Sequence, residues 1–178
     1  MSHSFHLYFI IKSLLPLLRY HDVFLFVSFY SEQIEPFLTY WVHGKNTMSL
    51  NIREQELVIL RMAVLYKSEY VWRHHVLVGR SYDITPIQLL ELKRVDYENH
   101  DLYTIFIPRE RALLILTDEM VNHRFVPRNV WEDAMNHHLS KRDIIDLIHL
   151  ISQYTLFALT NNVLQVPLEE SMNEIPGL

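Results

Sequence analysis

The chain has 178 residues, 49% of them hydrophobic and 21% charged, and no cysteine. That length suits a single globular domain, and the apolar fraction lets burial offset chain entropy. The missing thiol excludes a disulfide scaffold, thiol catalysis and any Cys-ligated zinc or iron–sulfur site, and it fits a cytoplasmic location. The net charge of −5 (16 Lys+Arg against 21 Asp+Glu) speaks against a nucleic-acid partner, which would require a basic excess or a clustered basic face. Only Gly44, Gly79 and Gly177 occur as glycines. Phosphate-cradling loops need several close glycines, so nucleotide-binding signatures are absent, and a hairpin-rich β architecture is disfavoured.

In chain order, residues 5–18 read as a short apolar helix or an extended arm. The stretch from Phe5 to Tyr30 is very apolar, but Lys12, Pro16, Arg19, His21 and Asp22 interrupt it. No clean run of about 20 apolar residues remains to cross a bilayer. No basic residue precedes Lys12 and no small-residue cleavage site follows, so a secretory leader is not expected either. A long helix is predicted over 22–42, with apolar positions at Phe26, Phe29, Tyr30, Ile34, Phe37, Leu38 and Trp41 and a stop at His43-Gly44. Its aromatics crowd more than one face, as a subunit interface would require. Asn51, with Glu54 three residues on, caps a helix to about Tyr66. Further helices are predicted from Ser68 to Tyr82, over 86–93 behind Thr85, over 108–122, over 127–138, and from about Ser140 to Asn161. Strand alternation is nowhere sustained, so the fold class is all-α.

Polar residues out of place mark the candidate site. The helix after Asn51 is apolar almost all round from Leu57 to Leu65, as a buried helix is. Glu56 shares a face with Ile59, Leu60 and Ala63. Two readings stand: a desolvated carboxylate that needs a partner, or an acid welcomed by the first helical turn. On the next helix, Ser68, Val71, Trp72 and His75 share one side, at i, i+3, i+4 and i+7. An imidazole there needs a hydrogen-bond partner, whether its role is structural or catalytic. His74, one step round, is expected on a polar edge. Tyr154 and Asn161 fall on an apolar stripe of the last helix with Leu147, Ile151 and Ala158, which packing alone would also explain. The 11 histidines form neither HExxH nor a Glu-x-x-His pair, so no metal or other cofactor is expected. No Gly-x-Ser-x-Gly elbow is present.

The stretch from Arg53 to Arg61, the segment Ser68-Glu-Tyr-Val-Trp-Arg-His-His75, the run from Arg109 to Glu119 with Val130-Trp131 after it, and the tail Gln153-Tyr154-Thr155 … Asn161-Asn162 … Val166-Pro167-Leu168-Glu169 together resemble the carboxymuconolactone decarboxylase and alkylhydroperoxidase D-like family. The likeness covers roughly residues 15–170, within one domain spanning 1–178 and an N-terminal arm or helix at 1–14. It implies a helical bundle assembled as a homo-oligomer, a trimer or hexamer. The family's redox branch uses a Glu, a Cys-x-x-Cys pair and a His, which match Glu56, Ser68, Val71 and His75. A dithiol peroxidase cycles thiolate to disulfide, which Ser and Val cannot do, so peroxidase chemistry is excluded. The thiol-free decarboxylase branch is closer. By that resemblance His75 would be the general acid–base, Glu56 its orienting partner and Tyr154 a donor to developing oxyanion charge. Ser68, Tyr70, Val71 and Trp72 would line the substrate pocket. The ligand would be a small carboxylate of lactone type, with Arg73 or Arg80 as candidate cations. Val71 departs from the pattern, since thiol-free members often carry a polar or acidic residue there. The alternative is a non-catalytic oligomeric binding or scaffold member.

Overall fold

The computed structural model describes residues 34–94 and 103–178, and no strand occurs among them. Seven α-helices follow one another: α1 (Ile34–Thr47), α2 (Ile52–Leu65), α3 (Glu69–Arg80), α4 (Pro86–Leu92), α5 (Pro108–Asn122), α6 (Arg128–Asn136) and α7 (Lys141–Leu164). A short 3-10 turn at Glu170–Met172 lies in the C-terminal tail. The all-helical expectation is met. The arm at residues 1–14, the aromatic run Tyr20–Tyr30 and the first part of the helix predicted over 22–42 lie outside the described residues.

Local chemistry sets most of the helix starts. Asn51 accepts from the Glu54 backbone N–H at 3.0 Å, and its own N–H donates to the Glu54 carboxylate at 2.9 Å. Thr85 with Gln88 and Ser140 with Asp143 make the same reciprocal cap on α4 and α7. Pro86 and Pro108 occupy first turns, where no N–H is needed.

Two predicted ends move. The helix expected to stop at His43-Gly44 runs on to Thr47. Gly44 is there for a close approach instead: an added Cβ would stand 3.1 Å from Gln153 Nε2 on α7. The last helix passes Asn161 and ends at Leu164, where Gln165 turns left-handed at φ 51° and Val166 N–H returns to the Asn161 carbonyl.

α2 is the centre of the bundle. It packs against α3, α5 and α7, and every residue from Glu54 to Val64 is buried. Its polar residues are answered from other helices. Glu54 pairs with Arg109 at 2.7 Å, and Arg61, with no exposed surface, forms a two-pronged pair with Asp118 at 2.6 and 3.1 Å. α7 buries one face against α2 and α1 and leaves Ile145, Ile148, Leu156, Leu159 and Val163 exposed in the single chain. Among the described residues no helix is long and apolar enough to cross a membrane.

Candidate functional site

Glu56 sits on the buried first half of α2, and His75 sits at the middle of α3. The two helices are joined by a tight turn. Lys67 takes a left-handed φ of 51°, its N–H bonds to the Val64 carbonyl, and the Ser68 N–H returns to Ala63 at 2.8 Å. This closure folds α3 back along α2 and brings position 75 over position 56. His75 Nδ1 lies 2.6 Å from Glu56 Oε2, and each residue is only 2% exposed. A carboxylate has no proton to give, so Nδ1–H donates. Nε2 is then the ring atom at which a proton would be gained or lost. The first-turn reading of Glu56 gives way to the pairing reading, because Glu54 is the acid that serves the α2 terminus.

His75 lines a hollow with Trp41, Tyr70, Val71, Tyr154, Phe157 and Asn161. Its empty space is about 260 Å³, part of it open to solvent, with room inside for about one water. The Tyr154 ring meets His75 edge-on, centroids 5.1 Å apart. Burial pushes the Tyr154 hydroxyl well above the usual phenol range, the negative charge of Glu56 adds to this, and a hydrogen bond from Trp41 opposes it. Tyr154 is therefore a neutral donor at neutral pH. Across the wall formed by Trp41 and Tyr154 lies a second hollow of about 230 Å³, lined also by Lys45, Gln55, Glu56, Ile59, Leu150 and Gln153.

Glu56, His75 and Tyr154 are thus brought together, with Tyr70 and Val71 on the hollow beside them. Ser68 and Trp72 are not among its lining residues. Ser68 is fully buried at the start of α3, and its hydroxyl has no hydrogen-bond partner among the described residues. The Trp72 indole N–H turns to the tail and donates to the Pro176 carbonyl at 2.9 Å. His74, expected on a polar edge, is 3% exposed. Its Nδ1 bonds the Tyr70 carbonyl at 2.9 Å and its Nε2 stands 3.1 Å from Glu169, because the tail crosses this side of α3. Arg73 is not a carboxylate receptor in waiting. It holds Glu69 at 2.5 Å and the Met172 carbonyl at 2.9 Å. Arg80 is exposed at the end of α3. Sequence reasoning missed the site roles of Trp41, Phe157, Lys45 and Gln153. Trp41 had shown only as an apolar helix position, and nothing in the spacing of the others points inward. No cluster of three or more metal-ligating side chains occurs among the described residues.

No family model and no curated protein matches the sequence. Solved structures do. A peroxidase-related protein from Ralstonia eutropha JMP134, described as an alkylhydroperoxidase AhpD core, superposes with a TM-score of 0.71 at 18% identity, covering 85% of this chain and 78% of that one. A putative antioxidant defence protein AhpD from Agrobacterium tumefaciens gives 0.66 at 18% identity, over 78% of this chain and 92% of that one. The debrominase Bmp8, in complex with 2,3,4-tribromopyrrole, gives 0.70 at 10% identity, over 92% of this chain and 89% of that one. At such identities the likeness is one of fold: the chain has the AhpD-like helical fold, as the sequence resemblance implied. With no cysteine in the sequence, dithiol peroxidase chemistry has no nucleophile here.

Proposed function

We propose that this protein is a cofactor-free lyase that moves a proton on a small carboxylated, lactone-like substrate, with His75 as general acid–base, Glu56 as its orienting partner and Tyr154 as the donor to oxyanion charge. The observation that carries the reading is the 2.6 Å bond from His75 Nδ1 to the buried Glu56 carboxylate. It sets the tautomer, supports the imidazolium when that forms, and leaves Nε2 as the proton-carrying atom. In decarboxylation the bond between carbon and carboxylate breaks, and its electron pair enters the conjugated carbonyl. Carbon dioxide leaves, and the His75 imidazolium, formed by taking one proton from solvent at Nε2, gives that proton to the carbon and returns to the neutral ring. The hydroxyl of Tyr154 is kept protonated by its burial. It meets the negative charge that builds on the carbonyl oxygen.

A second reading, a non-catalytic binding member, is favoured by one observation. The hollow beside His75 is small and mostly apolar, and no lysine or arginine among the described residues lines it. Turnover separates the two. On a panel of carboxylated five-membered lactones, the wild type releases carbon dioxide and incorporates solvent deuterium at the protonated carbon. His75→Gln loses about 10²–10⁴-fold of that rate, and Glu56→Gln loses a smaller factor. Equal rates for wild type and His75→Gln, or no turnover by the wild type, contradict the lyase.

A further inference from the structure

The second hollow is not a duplicate of the first. Its lining brings together one cation, one carboxylate and two primary amides: Lys45, Glu56, Gln55 and Gln153. Three of these four are engaged. Glu56 is bonded to His75. The Gln55 amide donates to the Leu50 carbonyl at 2.8 Å. Lys45 stands over the Trp41 ring, 5.7 Å from its centroid, and makes no ion pair with a described residue. Gln153 differs. It is 2% exposed, and its Nε2 is fully buried with no hydrogen-bond partner among the described residues. Leaving a buried amide donor unanswered is costly, and such donors are rare in folded proteins. Gly44 reinforces the point. It sits one residue before Lys45, and a Cβ there would crowd the same Nε2 at 3.1 Å. Glycine at 44 thus preserves the position of an amide nitrogen that has no hydrogen-bond partner among the described residues.

We propose that Lys45 and Gln153 form a subsite for the carboxylate of a small monoanion, in the hollow behind Tyr154 and next to Glu56. The Gln153 amide donates one hydrogen bond to a carboxylate oxygen, and the Lys45 ammonium neutralises the charge from the rim. The subsite supplies what the hollow beside His75 lacks, a cation, and it does so across a wall shared through Trp41 and Tyr154. The assignment deepens the lyase reading and rests on it for the chemistry, but binding at the subsite is measurable without turnover.

The test is a side-chain amide titration by ¹H–¹⁵N NMR, with sodium formate as the probe, formamide as its uncharged counterpart, and ionic strength held constant. The Gln153 NH₂ pair is assigned by its loss in Gln153→Leu. Formate is expected to shift that pair saturably. Lys45→Met, which keeps most of the stem, is expected to weaken formate about tenfold while leaving formamide nearly unchanged. Gly44→Ala is expected to displace the Gln153 signals and weaken formate without Lys45 being touched. No saturable shift up to roughly 100 mM formate, equal affinity for formate and formamide, or indifference to Lys45→Met would each overturn the subsite. His75→Gln keeps the two ideas apart. If it binds formate normally but the wild type turns nothing over, the subsite stands and the lyase falls. If lactone turnover depends on His75 and formate does not bind, the reverse holds.

Discussion

Each buried polar residue of α2 is answered by a residue from elsewhere in the fold: Glu54 by Arg109, Gln55 by the Leu50 carbonyl, Glu56 by His75 and Arg61 by Asp118. Periodicity in the sequence locates a face, so it could mark Glu56 and His75 as polar groups among apolar ones, but it could not choose their partners. Gln153 gave no such signal, because a single amide on a helix is ordinary wherever it points. His74 was misplaced for a related reason. What covers it is the non-periodic tail from Glu169 onward. Burial pulls the His74 imidazole below its ordinary value of 6.5, against the Tyr70 carbonyl and Glu169, while the neighbouring His75 adds to the lowering. A depressed folded value means the unfolded chain binds the proton more readily. The contribution to stability is therefore present above about pH 6.5 and is lost as pH falls through the folded value. Urea denaturation at a series of pH values between 7 and 5 should show stability declining, and His74→Gln should flatten that decline. An unchanged slope in the variant would contradict it.

Helix starts were legible in the sequence, and so were most helix ends to within two residues, those of α1 and α7 excepted. Asn51, Thr85 and Ser140 announce caps by residue type, and the structure makes all three. The ends use left-handed residues that are not glycine: Lys67 after α2, His138 after α6 and Gln165 after α7. A chain with three glycines closes its helices with ordinary side chains. The stop read at His43-Gly44 therefore came too early, and α7 runs three residues past the expected Asn161. Lys67 is exposed and sits at the turn that brings His75 over Glu56. A left-handed L-residue pays roughly 1 kcal/mol or more in contact between its Cβ and the following carbonyl. Lys67→Gly is therefore expected to raise unfolding stability by up to about 1 kcal/mol, offset in part by the entropy glycine adds to the unfolded chain. Thermal or urea denaturation measures it, and a loss of stability would show that Lys67 does more than turn the chain.

At the scale of the molecule, the architecture explains why the pair is buried. α2 runs through the centre, α3 and α7 pack against it, and α1 adds Trp41 and Gly44 against α7, so positions 56, 75 and 154 meet in the interior. Composition and periodicity were enough to expect an all-helical bundle. The resemblance of the 53–61 and 68–75 segments was enough to expect which bundle, and solved structures of the same fold agree with that expectation. Substrate chemistry was not legible in the same way, because it depends on how side chains from several helices line two hollows that share Trp41 and Tyr154, a property of packing and not of any one segment. The account stands on Glu56 holding His75 in one protonation geometry. Imidazole ¹H–¹⁵N NMR of His75 at neutral pH measures it directly. The account predicts a neutral ring protonated on Nδ1, with that proton far downfield and displaced in Glu56→Gln. A ring protonated on Nε2, or an Nδ1 proton indifferent to Glu56→Gln, would contradict it.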